Sequence, residues 1–361
     1  MSRRDIYYWK CDRPAAFHGT GPRPRGDEVS EEAIRTALDD HFHPESLTLS
    51  PAAGQGNHLT WNAEIDGTPA FLRIENGPEG DDHLEMESGV LGEVAKIGVP
   101  VPRVLGCDAS RTRMPFAWQA LERIPHPDLN QWWKAGTLDG GTIPFEIGKN
   151  VALWQEIRPL GFGPFDLGAW REGKELVGLH AAYPDYFHLR LESHLSYLVS
   201  AGFFNDAQRD EITSAIEDHL GLLEIGQGCL VHKDLALWNI LGSESEIAAF
   251  IDFDDAIGGD PMDDLSLLGC FHDAGFLVRA LEGYESARPL PDEYRRRFWL
   301  HLLRNMIVKA VIRVGAGYFD RTDGFFLIGS GTSGADLKTF TQARWRRALL
   351  GLRENHDIGS L

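Results

Sequence analysis

Basic residues are in short supply. The 361-residue chain carries 35 Lys and Arg against 54 Asp and Glu, a formal net charge of -19. Nucleic-acid binding rests on neutralising phosphates with Lys and Arg, so this balance argues against nucleic acid as a partner. Acidity of this size would draw in cationic ligands, although solubility is its commoner use. Cysteine is scarce as well. Cys11, Cys107, Cys229 and Cys270 are scattered and form no CxxC pair, which argues against a disulfide framework or a cysteine metal site and fits a reducing cytosol. No apolar run approaches the length of a membrane-spanning helix. Arg3, Arg4 and Asp5 open a mixed segment with no apolar signal core. The chain also lacks internal repeats and low-complexity tracts. A cytoplasmic location without membrane contact is expected, and nothing in the sequence speaks to protein partners.

What the chain does have is concentrated between Val231 and Ala256, which reads VHKDLALWNILGSESEIAAFIDFDDA. Two short apolar runs, Cys229 to Val231 and Ala248 to Ile251, read as buried strands with a polar loop between them. The loop brings His232, Asp234 and Asn239 close together, and Asp252 follows the second run. Asp234 can take a proton from a hydroxyl nucleophile. Asn239 and Asp252 offer a neutral and an anionic oxygen to a hard cation such as Mg²⁺, which takes few protein ligands and completes its shell with water and phosphate oxygens. Phosphoryl transfer asks for little beyond such positioning and charge neutralisation. The order, an Asp, an Asn five residues on, and a second Asp after a strand, matches the kinase pattern. A polar hairpin capped by Asp and Asn is the plainer reading, but it does not call for all three at this spacing.

The run His232-Lys233-Asp234 to Asn239, followed by Ile251-Asp252-Phe253, resembles the aminoglycoside phosphotransferase and choline kinase-like family. Gly259-Asp260-Pro261 and Asp264-Leu265 resemble that family's next landmark, where an Asp supports the catalytic loop. The resemblance implies an α+β, protein-kinase-like two-lobed fold, with an antiparallel-sheet N-lobe and a mainly helical C-lobe. It implies transfer of the γ-phosphate of ATP or GTP to a small molecule, with Mg²⁺ as cofactor. Lys233 departs from the family, which carries a small or polar residue there, and is closer to the Arg of protein kinases.

Along the rest of the chain, Tyr7, Tyr8 and Trp9 precede a Pro- and Gly-rich stretch that argues against helix. Three neighbouring aromatics are expected to dock on the body of the protein. Ser30 can cap a helix whose apolar face is Ala33, Ile34, Ala37 and Leu38. Alternation from Leu47 to Glu75 predicts three strands, with a glycine turn at Gly54-Gln55-Gly56-Asn57 and a hairpin at Asp66-Gly67. Glycines 54 and 56 would let backbone N–H groups approach phosphate oxygens. Arg73 on the third strand stands where protein kinases carry Lys. A guanidinium can grip phosphate in a fork and pair with a carboxylate. Glu87, on a helix from about Asp82 to Ile97, is the preferred partner, with Glu85 left on the solvated face. Strands are expected at Val101 to Leu105 and Phe116 to Leu121, with Glu122 at the crossing between lobes. Beyond Thr142 the pattern turns helical, with helices over Phe145–Ile157, Leu179–Val199, Ala207–Leu223, Leu265–Leu281, Tyr294–Val314 and Ala343–Leu352.

The sequence thus predicts an N-terminal extension over 1–26, a nucleotide-binding N-lobe over 27–122 and a C-lobe over 123–361. The N-lobe's nucleotide site would use Gly54, Gln55, Gly56, Asn57, Arg73, Glu87 and Glu122. Asp234 is the expected catalytic base, and Asn239 and Asp252 the metal ligands. Expected partners are a nucleotide and a small polar acceptor, such as an aminoglycoside or an amino alcohol. His232 is assigned to ordering the loop, Trp238 to the core, and one of Asp254 and Asp255 to capping the turn that follows. Glu156, Asp166, Asp185, Asp260 and Asp263 are candidates to line the acceptor pocket. A protein kinase is a weaker reading, because no DFG or APE pattern occurs. A nucleotide-binding scaffold without catalysis is the other alternative.

Overall fold

A computed structural model describes residues 2–14, 16, 29–52, 58–322 and 333–361. Alternating apolar residues build a five-stranded antiparallel sheet from β1 (Leu47–Pro51), β2 (Leu59–Ile65), β3 (Thr68–Glu75), β4 (Val104–Asp108) and β5 (Ala117–Glu122), in the order β1-β2-β3-β5-β4. Asp66 and Gly67 both have positive φ, +49° and +77°, the two-residue turn whose twist suits a tight hairpin. One face of the sheet packs on the helix Glu31–Phe42, where Ser30 Oγ accepts the Ala33 N–H at 3.2 Å. Helix His83–Lys96 buries Glu87, Val90, Leu91 and Val94.

The body that follows is mainly helical, as the sequence predicts, but two of the expected helices are broken. Leu179–Val199 divides into a strand (Gly178–His180), a short helix (Tyr183–Phe187) and a longer one (Leu191–Ser200), with Arg190 at φ +60° between the last two. Leu265–Leu281 divides into Asp263–Leu268 and Ala274–Ala287, where Asp273 starts a new helix by accepting the Phe276 N–H at 3.0 Å. The strand expected from Val101 begins only at Val104, because Pro100 and Pro102 remove ladder donors. The expected strand Cys229–Val231 forms and joins a small sheet with three strands missed in the sequence, Phe162–Phe165, Gly178–His180 and Ile257–Gly259. These strands have only three or four residues, too few for alternation to register. Helix Leu129–Ala135 lies in the stretch before Thr142 for which the sequence predicts no element; Pro125 and Pro127 just ahead of it interrupt any periodicity.

The aromatic arm does dock. Tyr7, Tyr8 and Cys11 are buried in the main apolar core with residues from both parts of the molecule. Contrary to the prolines and glycines around it, Trp9–Asp12 forms one helical turn, because the Asp12 carboxylate accepts the N–H groups of Tyr7 and Tyr8 at 3.2 and 2.9 Å. Tyr7 stacks on Tyr186 at 4.9 Å, and the Arg304 guanidinium covers its other side at 3.6 Å. Arg304 donates to His194 Nδ1, so the opposite ring nitrogen carries the proton that His194 shares with Asp12 at 2.7 Å. Arg3 pairs with Asp81 at 2.5 Å, donates to the Asp254 carbonyl at 2.7 Å and stacks over Trp9.

Two tests follow from this packing. Helices Thr142–Trp154 and Ala274–Ala287 cross so closely that a Cβ on Gly148 would overlap the Ala280 carbonyl, and one on Gly283 the Phe145 carbonyl. Gly148→Ala and Gly283→Ala should each lower stability by about 1–3 kcal/mol in denaturant unfolding. Burial pushes the Asp81 carboxyl up, and Arg3 outweighs it, leaving the pKa at about 2. A depressed carboxyl stabilises above its unfolded pKa and loses that stabilisation as pH falls through the folded one. Arg3→Met should therefore cost about 2 kcal/mol at pH 7, and its stability should converge on wild type between pH 4 and 2.

Candidate active site

The loop from His232 to Asn239 is held by a carboxylate from the helix that follows it. Asp264 accepts the backbone N–H groups of His232 and Lys233 at 2.9 and 3.0 Å and the Trp154 indole at 3.1 Å. His232 then ties the loop to the second segment. Its Nε2 lies 2.9 Å from the Ile251 carbonyl, and Nδ1 accepts the Asp234 N–H at 3.3 Å. Only the Nε2–H tautomer makes both bonds. Lys233 and Asp252 sit at φ +69°, a left-handed conformation that costs a non-glycine residue about 1 kcal/mol or more and persists where surroundings over-determine it. Lys233 is buried, pairing with Asp263 at 2.6 Å and approaching the Tyr7 hydroxyl at 3.1 Å.

Asp234, Asn239 and Asp252 come together at the end of this scaffold. The Asn239 amide nitrogen donates to the Asp234 backbone carbonyl at 2.8 Å and to its Oδ2 at 3.1 Å, which turns the amide oxygen away from Asp234. The Asp252 side chain is the most open of the local carboxylates, 29 % exposed against 1 % for Asp234. A neutral amide oxygen and an accessible carboxylate suit a hard divalent cation that keeps most of its own shell. Arg73 is buried and bonds Glu87, reaches Asp252 at 2.6 Å and Asp254 at 3.5 Å, and lies 3.0 Å from His58 Nδ1. Glu87 also accepts the Phe253 N–H at 3.1 Å. One buried ion pair thus joins β3, the helix His83–Lys96 and the segment after Ile251.

The other predicted residues divide by location. Gly54, Gln55, Gly56 and Asn57 lie outside the described residues. Glu122 ends β5 half-exposed, its N–H donating to the Arg103 carbonyl at 2.8 Å. Glu85 is bound by Arg171 at 2.7 Å. Among the described residues, neither Asp254 nor Asp255 accepts a backbone N–H from the turn that follows. Instead, Asp254 faces Arg73, and Asp255 lies 3.6 Å from Arg3. Burial, then the Asp252 and Asp255 carboxylates, push the Asp254 carboxyl well up. Of the acids proposed for an acceptor pocket, Asp166 caps helix Leu167–Gly173, Asp260 pairs with Arg297, and Asp263 pairs with Lys233. Glu156 and Asp185 are exposed on the surface.

The groups that actually surround Asp234 were not foreseen. The Tyr8 hydroxyl donates to Oδ1 at 2.6 Å, the Lys10 ammonium to Oδ2 at 2.5 Å, and Lys309 approaches Oδ1 at 3.4 Å. Burial would push the Asp234 carboxyl up; the charges of Lys10 and then Lys309 outweigh it and hold the group well below the usual carboxylate range. The aromatic cluster was the only sequence signal for the arm. Lys309 sits inside a 22-residue helix, Tyr294–Gly315, whose pattern marks it no differently from its neighbours.

Similarity to known proteins agrees with this geometry. No curated protein matches the sequence. The fold is like that of the aminoglycoside phosphotransferase APH(4)-Ia, at TM-score 0.57 and 16% identity over 88% of this chain and 99% of that one. It is also like a candidate fructosamine-3-kinase from Haemophilus somnus 129PT, at TM-score 0.59 and 15% identity over 88% and 96%. A third likeness is to APH(2″)-IIa, solved as a ternary complex with streptomycin and ATP, at TM-score 0.53 and 15% identity over 80% and 99%. A model of the phosphotransferase enzyme family, APH, matches residues 48–299. That span holds Arg73, Glu87, Asp234, Asn239 and Asp252 and leaves out both the arm and Lys309. By a match across most of its length, the chain belongs to the phosphotransferase enzyme family.

Proposed function

We propose that the protein is a Mg²⁺-dependent kinase that moves the γ-phosphate of ATP or GTP to a hydroxyl of a small polar molecule, with a cationic acceptor favoured. The observation that carries this reading is the convergence of Asp234, Asn239, Asp252 and the Arg73–Glu87 pair on one strained, over-determined loop system. A thermostable mutant of APH(4)-Ia has been solved with AMP-PNP and hygromycin B together, which supports a nucleotide and an aminoglycoside-like acceptor in a fold of this kind.

In this reading Arg73 grips phosphate oxygens, and Glu87 keeps its guanidinium oriented. Asn239 and Asp252 would hold the metal, which when bound neutralises charge on the phosphoryl group. Asp234 orients the acceptor hydroxyl. It takes the hydroxyl's proton as the new phosphorus–oxygen bond forms. The acidic net charge of the chain offers weak support for a cationic acceptor. The closure of Asp234 by the arm favours one alternative, a nucleotide-binding scaffold.

ADP release from Mg-ATP, followed across aminoglycosides, amino alcohols, sugars and hydroxy amino acids, separates the two. Acceptor-stimulated turnover is expected from wild type, and Asp234→Ala should lower it on the order of 10²–10⁴-fold while nucleotide affinity stays. Nucleotide binding with no stimulation, and a function indifferent to Asp234→Ala, would leave the scaffold standing. Asp252→Ala should abolish the Mg²⁺ dependence of nucleotide binding in calorimetry; unchanged dependence would refute the metal assignment.

A further inference from the structure

Both oxygens of Asp234 are taken by the arm. Tyr8 offers a hydroxyl to Oδ1 and Lys10 an ammonium to Oδ2, and the carboxylate is 1 % exposed. A phosphoryl acceptor has to place its own hydroxyl at hydrogen-bond distance from this carboxylate. The place is filled by a group of the same chemistry. The arm is no loose tail: Arg3 anchors it at Asp81 and Asp254, the Tyr186 hydroxyl donates to the Tyr7 carbonyl at 2.8 Å, and Asp12 closes it against His194. It lies outside the span that matches the family.

We propose that residues 2–12 are an internal occupant of the acceptor site, so that Tyr8 and Lys10 stand in for the acceptor and must leave before it can reach Asp234. This rests on the kinase reading above. A displacing ligand has to replace what it removes, a hydroxyl on one oxygen of Asp234 and a cation on the other. An amino alcohol whose two groups are close enough to bridge one carboxylate meets that demand, and a neutral sugar does not. The Lys10 side chain is 35 % exposed, against a Tyr8 that is buried, so an incoming cation meets the arm first at Lys10. Because the arm is covalently attached, it competes at high effective concentration. The apparent affinity for any acceptor, water included, falls by the fraction of time the arm is out.

The test uses the full-length chain and water as the acceptor. ATP hydrolysis with Mg²⁺ and no added acceptor is measured for wild type, Tyr8→Phe, Lys10→Met and the double variant, together with nucleotide affinity and thermal stability. Tyr8→Phe keeps the ring and its packing and loses only the hydroxyl. Loss of a hydrogen bond to a charged group should raise hydrolysis about tenfold or more in each single variant and further in the double. Adding Asp234→Asn should remove the gain. If wild type hydrolyses ATP or phosphorylates an acceptor, and folded variants with unchanged nucleotide affinity do so no faster, the arm proposal is wrong and the kinase reading survives. If phosphate appears on Tyr8 by mass spectrometry, the arm is a substrate and the proposal is also wrong. If no chain turns over although nucleotide binds, both readings fall.

Discussion

The arrangement of the site depends on one buried carboxylate. Asp264 receives two consecutive backbone N–H groups, from His232 and Lys233, and an indole N–H from Trp154. Consecutive amides can converge on one acceptor only if the chain turns sharply, and Lys233 does so in the left-handed region. With Lys233 fixed there, its side chain is sent to Asp263, and Asp234 is held by the Asn239 amide. His232 passes the constraint to Ile251, and so sets where Asp252 emerges. Helices from distant parts of the sequence thereby determine the aim of a four-atom side chain.

The second organising fact is charge. Burial, and then neighbouring carboxylates, push Glu87, Asp254 and Asp255 up, and Asp234 and Asp252 are among the neighbours that do so. Cations answer them one by one: Arg73 for Glu87, Asp252 and Asp254, Arg3 for Asp255, Lys10 and Lys309 for Asp234. Two of these four cations come from the arm. Breaking one partner of such a buried set is expensive, because the other is left charged and unpaired. The arm is therefore held by the electrostatics of the cleft as much as by its aromatic contacts.

The loop from His232 to Asp252 was legible because its chemistry is compressed into local spacing: Asp234, Asn239 and Asp252 can be related by counting. The same holds for the Asp66-Gly67 hairpin and the Ser30 cap, where the cause lies within three residues of the effect. Breaks such as Arg190 and Asp273 were not legible, since the apolar periodicity runs straight through them and only the local backbone reveals the interruption. Asp260 and Asp263, candidates for an acceptor pocket, instead pair with Arg297 and Lys233, 37 and 30 positions away in sequence. Tyr8, Lys10 and Lys309 were invisible as site residues for the same reason. They are 226, 224 and 75 positions from Asp234, and nothing in residue type marks a long-range pair.

Arg304 seats Tyr7, and Lys309 faces Tyr8 from the same continuous helix. Two successive residues of the arm are thereby read by two successive turns of one helix, which fixes the register between them. An insertion or deletion of a single residue in either one would put every later contact out of step. Drift in the first dozen residues is therefore chained to drift three hundred positions away, and the two segments are expected to be inherited, altered or lost as a unit.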